Sequence, residues 1–198
     1  LEEGLIWVGA NDGPVHVTRN GGKTWKNVTP KNLPPGGRVD AVEPSSHNPA
    51  KAYVCVLRYQ LGDRKPYIYK TDNYGESWQL LSTGSNGIPK EYPVRVVRED
   101  PEKEGLLFAG TEYGVFVSFN DGATWKAFQQ NLPITPISDL KIHRGDLVLA
   151  TMGRGFWILD DINLLRQDNL VNNKNHILFK PNSAIRYRTP SGSRLSET

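Results

Sequence analysis

The 198 residues are 37% hydrophobic and 10% aromatic, enough to bury a core and too many for a chain disordered throughout. A balance of 24 Lys and Arg against 21 Asp and Glu leaves only +3, with no dense basic window, which argues against a phosphate-tracking nucleic-acid surface. No apolar run approaches the roughly 20 residues of a membrane-crossing helix, no signal-peptide pattern opens the chain, and the lone Cys55, in "AYVCVL", reads as a small buried residue.

The first elements are a strand pattern "LIWVG", a loop "ANDGP", a strand "PVHVT", the phrase "TRNGGKTW" ending at Trp25 and a short strand "WKNV". A fuller unit follows: "RVDAVE", "AYVCVL", the loop "RYQLGDRKP", "YIYKT", the phrase "TDNYGESW" ending at Trp78, and "WQLL". The third unit reads "PVRVVRE", "LLFAG", the tip "TEYG", "GVFVS", the phrase "SFNDGATW" ending at Trp125, and "WKAF". The tryptophans stand 53 and 47 residues apart, a spacing that suits a four-stranded repeat. A fourth unit begins at "ISDLKI" and lacks the phrase; its "LVLATMGRGFWILDD" overlays "LLFAGTEYGVFVSFN", with Leu147 on Leu106 and Asp161 on Asn120. Repeats thus occupy 1–161. Residues 162–198 form a C-terminal extension in which "HILFK", 176 to 180, is the candidate closing strand before a flexible tail.

Each phrase sets a Ser or Thr, then Asn, then Gly at intervals of two, followed by Thr or Ser and Trp. The Gly permits positive φ, the Asn side chain can bond its own loop, and the Trp buries a large ring, so each phrase predicts a self-contained hairpin turn. Trp25, Trp78 and Trp125 are expected to be buried, each against its own blade. The phrases resemble the Asp-box, or bacterial neuraminidase repeat, Ser/Thr-x-Asp-x-Gly-x-Thr/Ser-Trp, over residues 5 to 161, with Asn20, Asn73 and Asn120 in place of the usual Asp. An Asn there accepts a hydrogen bond but supplies no carboxylate. The resemblance implies an all-β chain: about fourteen strands in four-stranded antiparallel β-propeller blades, three and a half to four of them here. Closed propellers have roughly 4–8 blades, so the missing share belongs to a larger propeller or to a second copy of the chain. A chain starting at Leu leaves an upstream segment and an export signal open.

Three copies on successive blades make the phrase structural, and chemistry is expected on the opposite face, across the mouth of the channel. That face gathers Asn11, Asp12, Arg58, Asp63, Arg64, Lys65 and Tyr92. Its candidate catalytic residues are Tyr113, Glu112 and Asp40, and its candidate substrate-binding residues Arg38, Arg95 and Arg154. Arginine matches a ligand carboxylate, and an acid beside a tyrosine suits the sialidase variant of glycoside hydrolysis. "TEYG" is equally a polar hairpin tip, on which adjacent side chains point apart. The four histidines are dispersed, no phosphate-cradling glycine motif or nucleophile elbow is present, and no metal or cofactor is called for.

The resemblance implies a carbohydrate-directed protein, foremost a sialidase-like exo-glycoside hydrolase acting on terminal anionic sugars of a glycan or glycoconjugate. The alternative is a noncatalytic sortilin-like or assembly-factor propeller that binds a peptide, protein or glycan. "GRGFWILDDINLLRQ" followed by "LFKPNSAIRYRT" is similar to the ends of large bacterial glycosyl hydrolase or sortilin-like repeat proteins. An extracellular or periplasmic setting goes with that resemblance.

Overall fold

The structure is a computed structural model that describes residues 2–170 and 178–183. The chain divides into Leu1–Ile162, which holds every strand among the described residues, and Asn163–Thr198. The fold of the first unit is all-β, a partial propeller of four antiparallel sheets. Blade one contains β1 (Ile6–Gly9), β2 (Val15–Thr18) and β3 (Lys26–Asn27). Blade two contains β4 (Arg38–Pro44), β5 (Ala52–Leu57), β6 (Ile68–Thr71) and β7 (Gln79–Leu80). Blade three contains β8 (Val94–Glu99), β9 (Leu107–Thr111), β10 (Gly114–Ser118) and β11 (Lys126–Ala127). Blade four contains β12 (Ile137–His143), β13 (Asp146–Thr151) and β14 (Phe156–Leu159). The inner strands β4, β8 and β12 pack side by side in chain order, and β1 of blade one packs on β4.

Apolar faces of successive sheets meet to form the core, as between blades one and two, where Trp7, Val15 and Val17 join Val54, Val56 and Tyr69. The continuous apolar run "AYVCVL" is buried at every residue of β5, because this strand is covered on both faces. Cys55 lies there, and burial pushes its thiol up, away from the reactive thiolate.

The three phrases form superimposable turns. Thr18 Oγ1 accepts from Gly22 N (3.1 Å), as Thr71 Oγ1 does from Gly75 N (2.9 Å) and Ser118 Oγ from Gly122 N (2.9 Å). Asn20, Asn73 and Asn120 accept through Oδ1 from the backbone N of Thr24, Ser77 and Thr124 at 2.9–3.0 Å. Their Nδ2 groups donate to the hydroxyls of those same residues at 2.8–2.9 Å.

Three expectations need correction. The tryptophans do not pack on their own blades alone: Trp78 Nε1 donates to the Val28 carbonyl (2.6 Å) and Trp125 Nε1 to the Leu81 carbonyl (3.1 Å), each on the preceding blade. Trp125 is buried, Trp78 is half-buried, and Trp25 is 45% exposed because its blade has no predecessor in the structure. The overlay of blade four slips by one residue before its hairpin. Thr151 takes the place of Thr111, each donating through Oγ1 to a turn-glycine carbonyl, Gly155 (2.7 Å) and Gly114 (2.9 Å), so Leu147 corresponds to Leu107. The extra residue sits in the turn. Of "HILFK", residues 176 and 177 lie outside the described residues, and 178 to 180 form no strand; Lys180 N instead donates to the Gln167 side chain (3.0 Å).

Candidate functional site

The inner strands β4, β8 and β12 share a device that alternation does not announce. Each shifts register near its start, between Val39 and Ala41, Val94 and Val96, and Ile137 and Asp139. Asp40, Arg95 and Ser138 are the residues thrown out of the pleat, and a bulge re-aims such a side chain. Successive bulges bring opposite charges together: Arg95 Nη1 lies 3.6 Å from Asp40 Oδ2. Arg38 Nε pairs with the other oxygen of Asp40, and that bond holds its guanidinium above its ordinary range. Arg95 Nε donates to Glu112 Oε1 (2.5 Å), which completes a ladder Arg38–Asp40–Arg95–Glu112 along the channel mouth.

Glu112 arrives there because the β9–β10 hairpin is tied down twice. Its own N–H donates to the Pro93 carbonyl (3.0 Å), and Thr111 Oγ1 accepts from Tyr113 N (3.0 Å). Tyr113 packs against Tyr92, with ring centroids 4.5 Å apart and the rings tilted by 45°, and Arg64 Nη2 donates to its hydroxyl. Arg64 belongs to the long β5–β6 loop, which Arg58 braces from beneath. That buried guanidinium donates to the carbonyls of Pro34, Pro35 and Gly36 at 2.6–2.8 Å and to Asp63 at 3.0 Å. Burial alone would raise Asp63, but bonds from Tyr67 and Arg58 outweigh it and hold the carboxyl below the usual range. Tyr59, Arg64, Glu112, Tyr113, Ile134 and Pro136 then line a cleft of about 330 Å3.

The structure therefore gathers Arg38, Asp40, Arg95, Glu112 and Tyr113 along one mouth. Arg154 stands apart on the exposed β13–β14 hairpin, where its carbonyl accepts from Trp157 Nε1 (3.0 Å). Asn11 and Asp12, also exposed, line no part of this cleft. Glu112 bonds Arg95 and Tyr113 bonds Arg64, so the acid does not receive the proton of its neighbouring tyrosine. Among the described residues no three His, Cys, Asp or Glu side chains are arranged to hold a metal, and no helix is long and apolar enough to cross a membrane.

Two clusters escaped the sequence. Below the mouth, Arg98 reaches Glu43 (3.5 Å) on β4 and Asp139 (2.9 Å) on β12, a second ladder in which Glu43 and Arg98 stand three residues past their bulges and Asp139 directly after its own. Aligning the inner strands on their bulges would have found its Glu43–Arg98 pair. At the opposite end, buried Lys51 contacts Glu99 (3.1 Å) and Asp121 (3.2 Å), while the buried Tyr53 hydroxyl donates to Asp121 (2.5 Å). Burial works against the Lys51 charge, but the two carboxylates outweigh it and keep the ammonium above its ordinary range.

No protein-family model and no curated protein matches the chain. Solved propellers do. A GH74 xyloglucanase from Xanthomonas campestris is 16% identical with a TM-score of 0.61 over 80% of this chain and 26% of its own. The GH74 enzyme of Niastella koreensis is 16% identical with a TM-score of 0.60 over 80% of this chain and 27% of its own. YCF48 bound to D1 peptide is 16% identical with a TM-score of 0.55 over 78% of this chain and 47% of its own. The chain spans less than half of each, and at such identity the likeness shows the propeller fold alone.

Proposed function

We propose that the chain is part of a noncatalytic binding propeller whose cleft takes an extended peptide carrying a carboxylate. The observation behind this reading is the distribution of partners. Asp40 and Glu112 each face a guanidinium, whereas Arg64, exposed on the rim, touches only Tyr113 and has no carboxylate partner among the described residues. The site thus offers a planar cation to an incoming anion, with tyrosine, proline and isoleucine walls for the flanking apolar groups. That one similar structure holds a peptide agrees with this reading as an analogy.

A sialidase-like hydrolase is the second reading, favoured by the presence of Glu112 and Tyr113 in one arginine-bearing cleft. Fluorescence anisotropy against peptides ending in a free carboxylate or in an amide separates the two, run beside fluorogenic sialosides and neutral glycosides. Preference for the carboxylate is expected, and Arg64→Gln should weaken it on the order of tenfold or more, the loss of a charged hydrogen bond. Turnover of any glycoside that is abolished in Glu112→Gln would establish the hydrolase instead.

A further inference from the structure

Blades two and three show how one blade seats on the next. A Cβ on Gly75 would come within 2.6 Å of Val28 Cβ, and one on Gly122 within 2.5 Å of Leu81 Cδ1. The carbonyls of the same two residues accept from Trp78 and Trp125. Each phrase is therefore a socket, and the apolar residue three positions past the preceding tryptophan is its plug. In blade one the socket is built, with its Asn20 bonds intact, but Gly22 meets no atom within 4 Å except the ring of its own Trp25. Beside it, Ile6 and Val8 are each 43% exposed on the face of β1 opposite to the buried Trp7. Moreover, β1 pairs only with β2, whereas its counterparts β5, β9 and β13 are paired on both edges.

We propose that this side of blade one is the receptor half of a blade-to-blade joint, and that its occupant is another complete four-stranded blade of this repeat type. The occupant's chemistry follows from the filled sockets: an apolar side chain three positions past its own tryptophan to cover Gly22, and a free carbonyl there for Trp25 Nε1. The end that a second copy would present in register, β12–β14, carries neither, since among the described residues it has no outer strand.

The chain itself supplies donors for a test. Gly4, Gly105 and Gly145 hold one position in the repeat, their carbonyls accepting from Gly21, Asp121 and Ile162 N at 2.8–2.9 Å. Residues 94–145 or 38–105 placed directly before Leu5 thus give two chimeras, each adding a full blade, plugged by Phe128 or Leu81, and an inner strand for β1. Indole Nε1–H exchange, read by 15N NMR, resolves the tryptophans. Exchange at Trp25 is expected to slow on the order of tenfold in the chimeras, as for one added hydrogen bond, and to return to its original rate when Phe128→Asp is introduced into the donor blade. Unchanged Trp25 exchange where Trp78 and Trp125 stay protected, or failure of both chimeras to fold, overturns the proposal. So does Trp25 protection that grows with concentration of the unmodified chain, which would make a second copy the occupant.

Discussion

At the level of single residues, the tryptophans differ in what their removal should cost. Trp125 is buried and hydrogen-bonded across a blade boundary, so Trp125→Ala should destabilise by about 3–5 kcal/mol. Trp25, 45% exposed and with no such boundary to span, should cost under about 1 kcal/mol in Trp25→Ala. Paired thermal melts check the contrast, and equal losses would contradict it. The turn chemistry was legible residue by residue, because Ser or Thr, Asn and Gly at fixed spacing have one way to satisfy each other. The destination of each indole was not, since nothing local to "GESW" or "GATW" names the carbonyl on the blade before. Asn in place of Asp adds one detail: its amide donates to the hydroxyl four residues on, where a carboxylate could only accept.

Between elements, charge holds what apolar packing has brought together. Lys51 on blade two serves Glu99 and Asp121 on blade three; Lys51→Met would leave buried Glu99 without its cation, while Asp121 keeps Lys70 at 2.9 Å. A loss of roughly 3–5 kcal/mol is expected in urea unfolding, the range for removing one partner of a buried pair. Glu43 works in the opposite sense. Burial raises its carboxyl from 4.5 to about 7, and Arg98 only partly offsets this. The folded state therefore holds a proton that the unfolded chain has released, so the associated stability is full below about pH 4.5 and is lost as pH rises through about 7. Glu43→Gln should match the natural chain at pH 4 and exceed it by on the order of 2–3 kcal/mol at pH 8; a constant difference across that range would rule the account out. Strand alternation located β4, β8 and β12 but not their bulges, which depend on neighbouring strands rather than on a chain's own pattern. The approach of Asp40 to Arg95 was hidden for that reason.

For the whole molecule, burial grades from the middle outward. Every residue of β5, β9 and β10 is buried, while β1 and β14 expose Ile6, Val8, Phe156 and Ile158. Hydrogen exchange by mass spectrometry should find peptides covering β5, β9 and β10 slowest and those covering β1 and β14 faster by at least about tenfold; uniform protection would argue against this gradient. The number of blades was legible because repeats announce themselves, and the fourth was found without its phrase. Which side chains meet at the channel mouth was legible only in part, since that depends on hairpin lengths such as the extra residue before Gly155.

The indole-to-carbonyl bonds also have a direction in time. Trp78 reaches back to Val28, and Trp125 back to Leu81, so every acceptor precedes its donor along the chain. On a ribosome, each of these indoles therefore emerges after the carbonyl that it docks on. The indole wiring thus runs in the direction of synthesis, and a circularly permuted chain that reverses one of these dependencies would have to hold an empty socket open until its last residues arrive.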